Sequence, residues 1–97
     1  MHSTRRTATG MIVPSVHMGG TSRNELETQM RDALMALASA QEALAAMTPH
    51  GRDYYVQPGE ALQEALIQHE SRRERVDALM TEIGAMYEEI VFGGDAQ

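Results

Sequence analysis

Residues 62 to 90 read LQEALIQHESRRERVDALMTEIGAMYEEI, and within them Leu62, Leu66, His69, Arg73, Val76, Met80, Ile83, Tyr87 and Ile90 recur at alternating steps of four and three. That spacing gathers nine side chains on one stripe of an α-helix, the pattern of a helix packed against another helix. Residues 26 to 47, LETQMRDALMALASAQEALAAM, carry a second stripe in the same rhythm: Leu26, Met30, Ala33, Leu37, Ala40, Leu44 and Met47. Two seams of one period, joined by a short connection, imply an antiparallel hairpin.

The punctuation agrees. Ser22 and Glu25 form the S-x-x-E capping box, in which each side chain satisfies a backbone N–H at the helix start, so helix one begins at about Arg23. Pro49 and Gly51 stop it, and helix two runs from about Gly59 to Val91. At 1.5 Å per residue helix two spans about 50 Å and helix one about 37 Å, so the longer helix overhangs. Pairing Met47 with Leu62 sets Ala40 opposite His69, Leu37 near Arg73, Met30 near Met80 and Leu26 near Ile83. Tyr87, Ile90 and Phe92 then lie beyond the first turn of helix one, where the Met11 to Met18 arm, the chain's own or a neighbour's, would cover them.

That segment has its own character. Residues 1 to 23 hold three arginines and no acid, whereas 24 to 97 hold five arginines and all fourteen acids. Residues 1 to 10 read as a mobile tail. Met11 to Met18, apolar, β-branched and broken by Pro14, reads as an extended arm, and Gly19-Gly20 turns the chain. The expected architecture is therefore all-α: an arm over residues 1 to 23 and a two-helix antiparallel hairpin domain over 24 to 97. A lone hairpin buries one stripe per helix, and Leu34, Met35, Leu79 and Met86 widen the apolar surface, so assembly into a homo-oligomer is expected.

Composition narrows the function classes. With 97 residues there is room for one core. The net charge of −6 and the absence of lysine argue against duplex nucleic acid as a partner. The chain has no cysteine, which excludes disulfides, thiolate metal sites and cysteine nucleophiles. No apolar run approaches the roughly 20 residues that span a bilayer, so no membrane partner and a cytoplasmic location are expected, which for the resemblance described below would be the cytoplasm of a host cell. Catalytic templates fail as well. His69-Glu70 has Arg73 where a zincin needs its second histidine, and His2, His17, His50 and His69 share no metal-ligand spacing. No catalytic residue, metal or cofactor is expected.

Three places have the chemistry to hold a ligand. The loop between the helices, Thr48 to Gly59, contains His50, Arg52, Tyr54 and Tyr55, half of the four aromatics of the chain. Tyrosine faces stack on a base while a guanidinium meets a phosphate. The alternative is that the tyrosines close the end of the hairpin and Arg52 pairs with Asp53. His69 and Arg73 interrupt the seam one turn apart; they either face an anionic ligand from within an assembly or sit at the edge of the hairpin, Arg73 reaching Glu70, Asp77 or a glutamate on a neighbouring subunit. Thr21, Ser22 and Arg23 open helix one, where backbone N–H groups favour an anion, although the capping box already explains Ser22.

At Val13-Pro14-Ser15-Val16-His17, Gly20-Thr21-Ser22 and Pro49-His50-Gly51-Arg52-Asp53-Tyr54-Tyr55 the chain resembles a family of small phage and prophage proteins, mostly of unassigned function, over about residues 12 to 90. In architecture it is also similar to phage proteins that sequester cyclic nucleotide immune messengers. That second likeness is one of shape, and no motif aligns residue by residue to carry binding residues over. The resemblance implies a phage-encoded protein that sequesters a small anionic, nucleotide-derived immune signal, an anti-defence sponge. The alternative is a structural or regulatory hairpin that binds another protein, such as a virion component or a host enzyme.

Overall fold

A computed structural model of the chain describes residues 4–93. It contains α1, Arg23–Ala46, a short 3-10 turn at Gly51–Asp53, and α2, Ala61–Phe92, with α1 packed against α2 and no strand among the described residues. The hairpin is a rod, 63 × 23 × 18 Å, with a radius of gyration of 19.2 Å against the roughly 12.5 Å of a compact chain of this length. The capping box is in place: Ser22 Oγ accepts from the Glu25 backbone N–H, and Glu25 Oε1 accepts from the Ser22 backbone N–H.

The pairing of the helices differs from the one read from the sequence. His69 lies against Leu44, Gln41 against Arg73, Arg31 against Tyr87 and Arg23 against Ile90. Helix two is thus displaced by about one turn from the pairing that set His69 opposite Ala40. The reason lies in the connection. It does not reverse tightly after Met47 but runs on through a 3-10 turn capped by His50 and a further turn closed by Gln57 N–H on Tyr54 C=O, so α2 starts well past the end of α1. The overhang consequently falls at the loop end, not at the arm end: Leu66 stands level with Met47, and Leu62 meets the connection near Gly51.

At the other end the chain's own arm closes the hairpin. Val13 and the helix residues Leu26 and Ile90 form a buried cluster, flanked by Val16, Met30 and Met86, and Ile90 is completely buried. Residues expected to be a mobile tail are, from Thr4 on, built into this cap. Gly10, at a positive φ of 95° that favours glycine, lets Gly10 N–H reach Thr7 C=O, and an antiparallel bridge joins Arg6 to Ile12. Of the three residues expected under the arm, Ile90 is covered, whereas Phe92 is 80% exposed. His2 lies outside the described residues.

Candidate functional site

The carbonyls at the end of α2 are met by two arginines, beside the Gly93 N–H that already reaches the Glu89 carbonyl. Arg5 Nη2 donates to the Glu89 carbonyl and pairs with the Glu89 carboxylate, each at 3.3 Å, while its Nη1 donates to Pro14 C=O at 3.2 Å. Arg23 Nη1 donates to the Ile90 carbonyl. Cations at a helix C-terminus satisfy both the hydrogen bonds and the helix dipole. Gly93 permits the approach, because a Cβ there would collide with the Glu89 carbonyl and come within 2.8 Å of the Arg5 guanidinium. Sequence reasoning assigned Arg23 to an anion and gave Arg5 no role; the only available signal was a pair of arginines in a segment without acids. Thr21 and Ser22 are exposed, with Ser22 occupied by its capping box.

In the middle of the seam, His69 is only 3% exposed. Its Nε2 lies 2.7 Å from Leu44 C=O, one of the carbonyls the end of α1 leaves without a helical donor, and the Met47 backbone N–H reaches the same oxygen. Since a carbonyl only accepts, Nε2 carries the proton, and Nδ1 is left to accept from Arg72 Nη1 at 3.4 Å. The polar break in the stripe is therefore a cross-hairpin helix cap, a role that follows from His69 meeting Leu44 rather than Ala40. Arg73 turns to the flank: its Nε donates to Gln41 Oε1 at 3.4 Å, and Gln41 Nε2 returns a bond to Arg73 C=O at 2.8 Å. Gln41, Glu70, Arg73, Glu74 and Asp77 line one polar depression of about 270 Å³. Farther along, Tyr87 lies beneath Arg31, whose guanidinium is 6.0 Å from the ring centroid. The Tyr87 hydroxyl, with Glu27 and Asp32 adding weaker attraction, strengthens the guanidinium's hold on its proton.

The loop carries the third group. His50 Nδ1 accepts from the Arg52 backbone N–H at 3.2 Å and so starts the 3-10 turn. Tyr54 and Tyr55, with Gly51, Gln57, Pro58, Gly59 and Leu62, border a shallow depression of about 230 Å³. Tyr54 is half-buried there, whereas Tyr55 is 80% exposed. The Arg52 guanidinium is exposed, does not line the depression and has no hydrogen-bond or ion-pair partner among the described residues, Asp53 included.

The nine residues read as ligand contacts thus fall into three separate places. Thr21, Ser22 and Arg23 are at the arm end, His69 and Arg73 are on α2 between the ends, and His50, Arg52, Tyr54 and Tyr55 are at the loop end. The 24 residues of α1 put about 36 Å between the first group and the last. Within one chain they do not form one pocket. Among the described residues no group of three or more His, Asp or Glu is placed to hold a metal ion, and no helix is long and apolar enough to cross a membrane. Set against known proteins, the chain matches no family model, no curated protein and no solved structure, so its functional reading rests on its own geometry.

Proposed function

We propose that this chain is an interaction protein: a helical hairpin that works by docking its unfinished apolar seam onto a protein surface, its own copies among them. The observation that carries this reading is the distribution of burial. Among the described hydrophobic residues only Val13, Leu26 and Ile90 are buried, all in the arm-end cluster, while Leu37, Leu44, Leu66, Val76 and Met80 along the seam stay part-exposed. A stripe that recurs over nine positions and is left half open in the monomer is what a partner completes. Homo-oligomeric assembly belongs to this reading.

One observation favours a second reading, capture of a small anionic, nucleotide-derived ligand by a phage protein acting against immune signalling. Arg52 is a cation without a partner among the described residues, in the loop that holds the depression of Tyr54 and Tyr55. A guanidinium and two aromatic faces are the right chemistry for a nucleotide. The arrangement is open and the guanidinium stands outside the depression, which is why this reading takes second place.

Native mass spectrometry of the full chain, purified from cells with an active nucleotide signalling system, separates the two. The interaction reading expects a protein assembly free of small molecules. A monomer carrying a nucleotide-sized adduct would overturn it and promote the loop.

A further inference from the structure

The two flanks of the hairpin differ, and the difference names the docking face. On one flank Gln41 meets Arg73 beside Glu70, Glu74 and Asp77. Successive helix positions advance by about 100°, so on α1 Ala36 and Ala43 lie on the side of the Leu37–Leu44 seam away from Gln41. By the same geometry Leu79 and Met86 lie on the side of the Val76–Ile83 seam away from Asp77. This opposite flank pairs a row of small residues, Ala36 and Ala43 both exposed, with a row of larger ones that includes Leu79 at 44% exposure.

From this flank, and resting on the interaction reading above, we infer that its occupant is a second copy of the chain. The accessible surface is 7149 Å², whereas a folded monomer of 10.7 kDa exposes about 5,500 Å². The surplus of about 1,600 Å² exceeds the roughly 800 Å² that each partner buries in a standard interface and matches a permanent dimer. Charge selects the same flank. Two chains of net charge −6 repel least where acids are fewest, and the two rows of this flank, Ala36 and Ala43 on α1 and Ala65, Arg72, Leu79 and Met86 on α2, hold no acid, with Arg75, Glu64 and Glu82 along their outer border. Shape supplies the orientation. A two-fold interface must be self-complementary, and a face with one small row and one large row satisfies this twice when α1 of each copy lies over α2 of the other. The two-fold axis then runs along the bundle, and both loops emerge at the same end.

The test is sedimentation velocity on the purified full chain at micromolar concentrations, with helicity followed by circular dichroism. Wild type should sediment at twice 10.7 kDa. Ala43→Arg and Leu79→Arg, which put a charge in the face, should each weaken the dimer about thirtyfold or more. Glu74→Arg, on the polar flank, should leave it unchanged. If one arginine variant loses helicity, the other decides. A monomeric wild type, or a dimer that Glu74→Arg breaks and Leu79→Arg does not, overturns the inference. If native mass spectrometry then shows this monomer bound to a different protein, the interaction reading stands while the second copy is lost. Spin labels on Asp53→Cys, unique in a chain without cysteine, should lie within about 30 Å of each other. A separation near the 63 Å long axis overturns the seating of small row on large.

Discussion

The arm end and the loop end of this hairpin use the same kind of residue to opposite effect. At the arm end Ile90 is sealed by Val13 and Leu26, and Arg5 and Arg23 meet the last carbonyls of α2. At the loop end Leu62 is half-buried, Tyr55 and Val56 are largely exposed, and α2 starts without a side-chain cap. One end is finished by the chain itself; the other is left open. A helix end is thus not weak because it is an end. Its contribution depends on whether a third segment covers it.

Periodicity alone ranks Leu26, near a helix start that frays, below the mid-seam Leu37 and Leu66, whereas burial ranks it above them. The largest effects belong to the arm end. Ile90→Ala should destabilise by about 2–5 kcal/mol, because a fully buried side chain leaves a cavity that little can refill. Leu62→Ala should cost about 1 kcal/mol. Urea titrations at one fixed protein concentration would measure both, since assembly couples stability to concentration. Equal losses at the two positions would mean that the loop end is as closed as the arm end.

Next in size is the arm's polar clasp. Arg5→Ala removes three part-buried hydrogen bonds, one of which is also the ion pair with Glu89, and a loss of about 1–2 kcal/mol is expected after allowing for the solvent around a partly exposed pair. Deleting residues 1 to 10 should cost at least as much, where a mobile tail would cost nothing. Thermal melts of both variants check this, and an unchanged deletion variant would show the clasp to be idle.

Between the two ends, His69→Leu takes away the donor that crosses to Leu44 C=O. The carbonyl keeps the Met47 N–H, so the expected loss is about 1 kcal/mol. It should appear as faster amide exchange over the last turn of α1. His69→Gln, which restores an N–H donor, should recover part of the protection. If His69→Leu proves stabilising, the seam prefers an apolar residue there and the cap is dispensable.

The helices, the α1 cap and the arm were legible in the sequence because each is a local signal: a period of four and three, Ser22 with Glu25, a proline-broken apolar run. The register was not. It depends on how far the connection travels before α2 begins, and the 3-10 turn that sets this is started by a histidine side chain accepting one backbone N–H. A one-turn shift moved His69 from an alanine to a carbonyl and turned a suspected ligand contact into a structural one. The site residues stand out in the sequence by their chemistry alone, and nothing local in it shows that one chain holds Arg23, Arg73 and Arg52 apart.

The smallest expected effect is the one that sharpens the loop end. Arg52→Ala removes an exposed guanidinium without a partner among the described residues, so stability should stay within about 0.5 kcal/mol and helicity should not change. Because the docking face proposed above lies along the helices, sedimentation should not change either. Silence on these measurements is the expected result, and it makes the variant a clean probe of the second reading. Calorimetric titration with linear and cyclic nucleotides should show no binding to wild type if the loop is only a connection. If wild type does bind one, Arg52→Ala should weaken it tenfold to a hundredfold, as the loss of a charge-assisted contact of about 1.5–3 kcal/mol requires. Tyr55→Ala should add to the loss where the base stacks on the exposed ring. Binding that survives both substitutions would place the ligand elsewhere on the hairpin, and the loop end would be open for want of a covering segment rather than for the sake of a ligand.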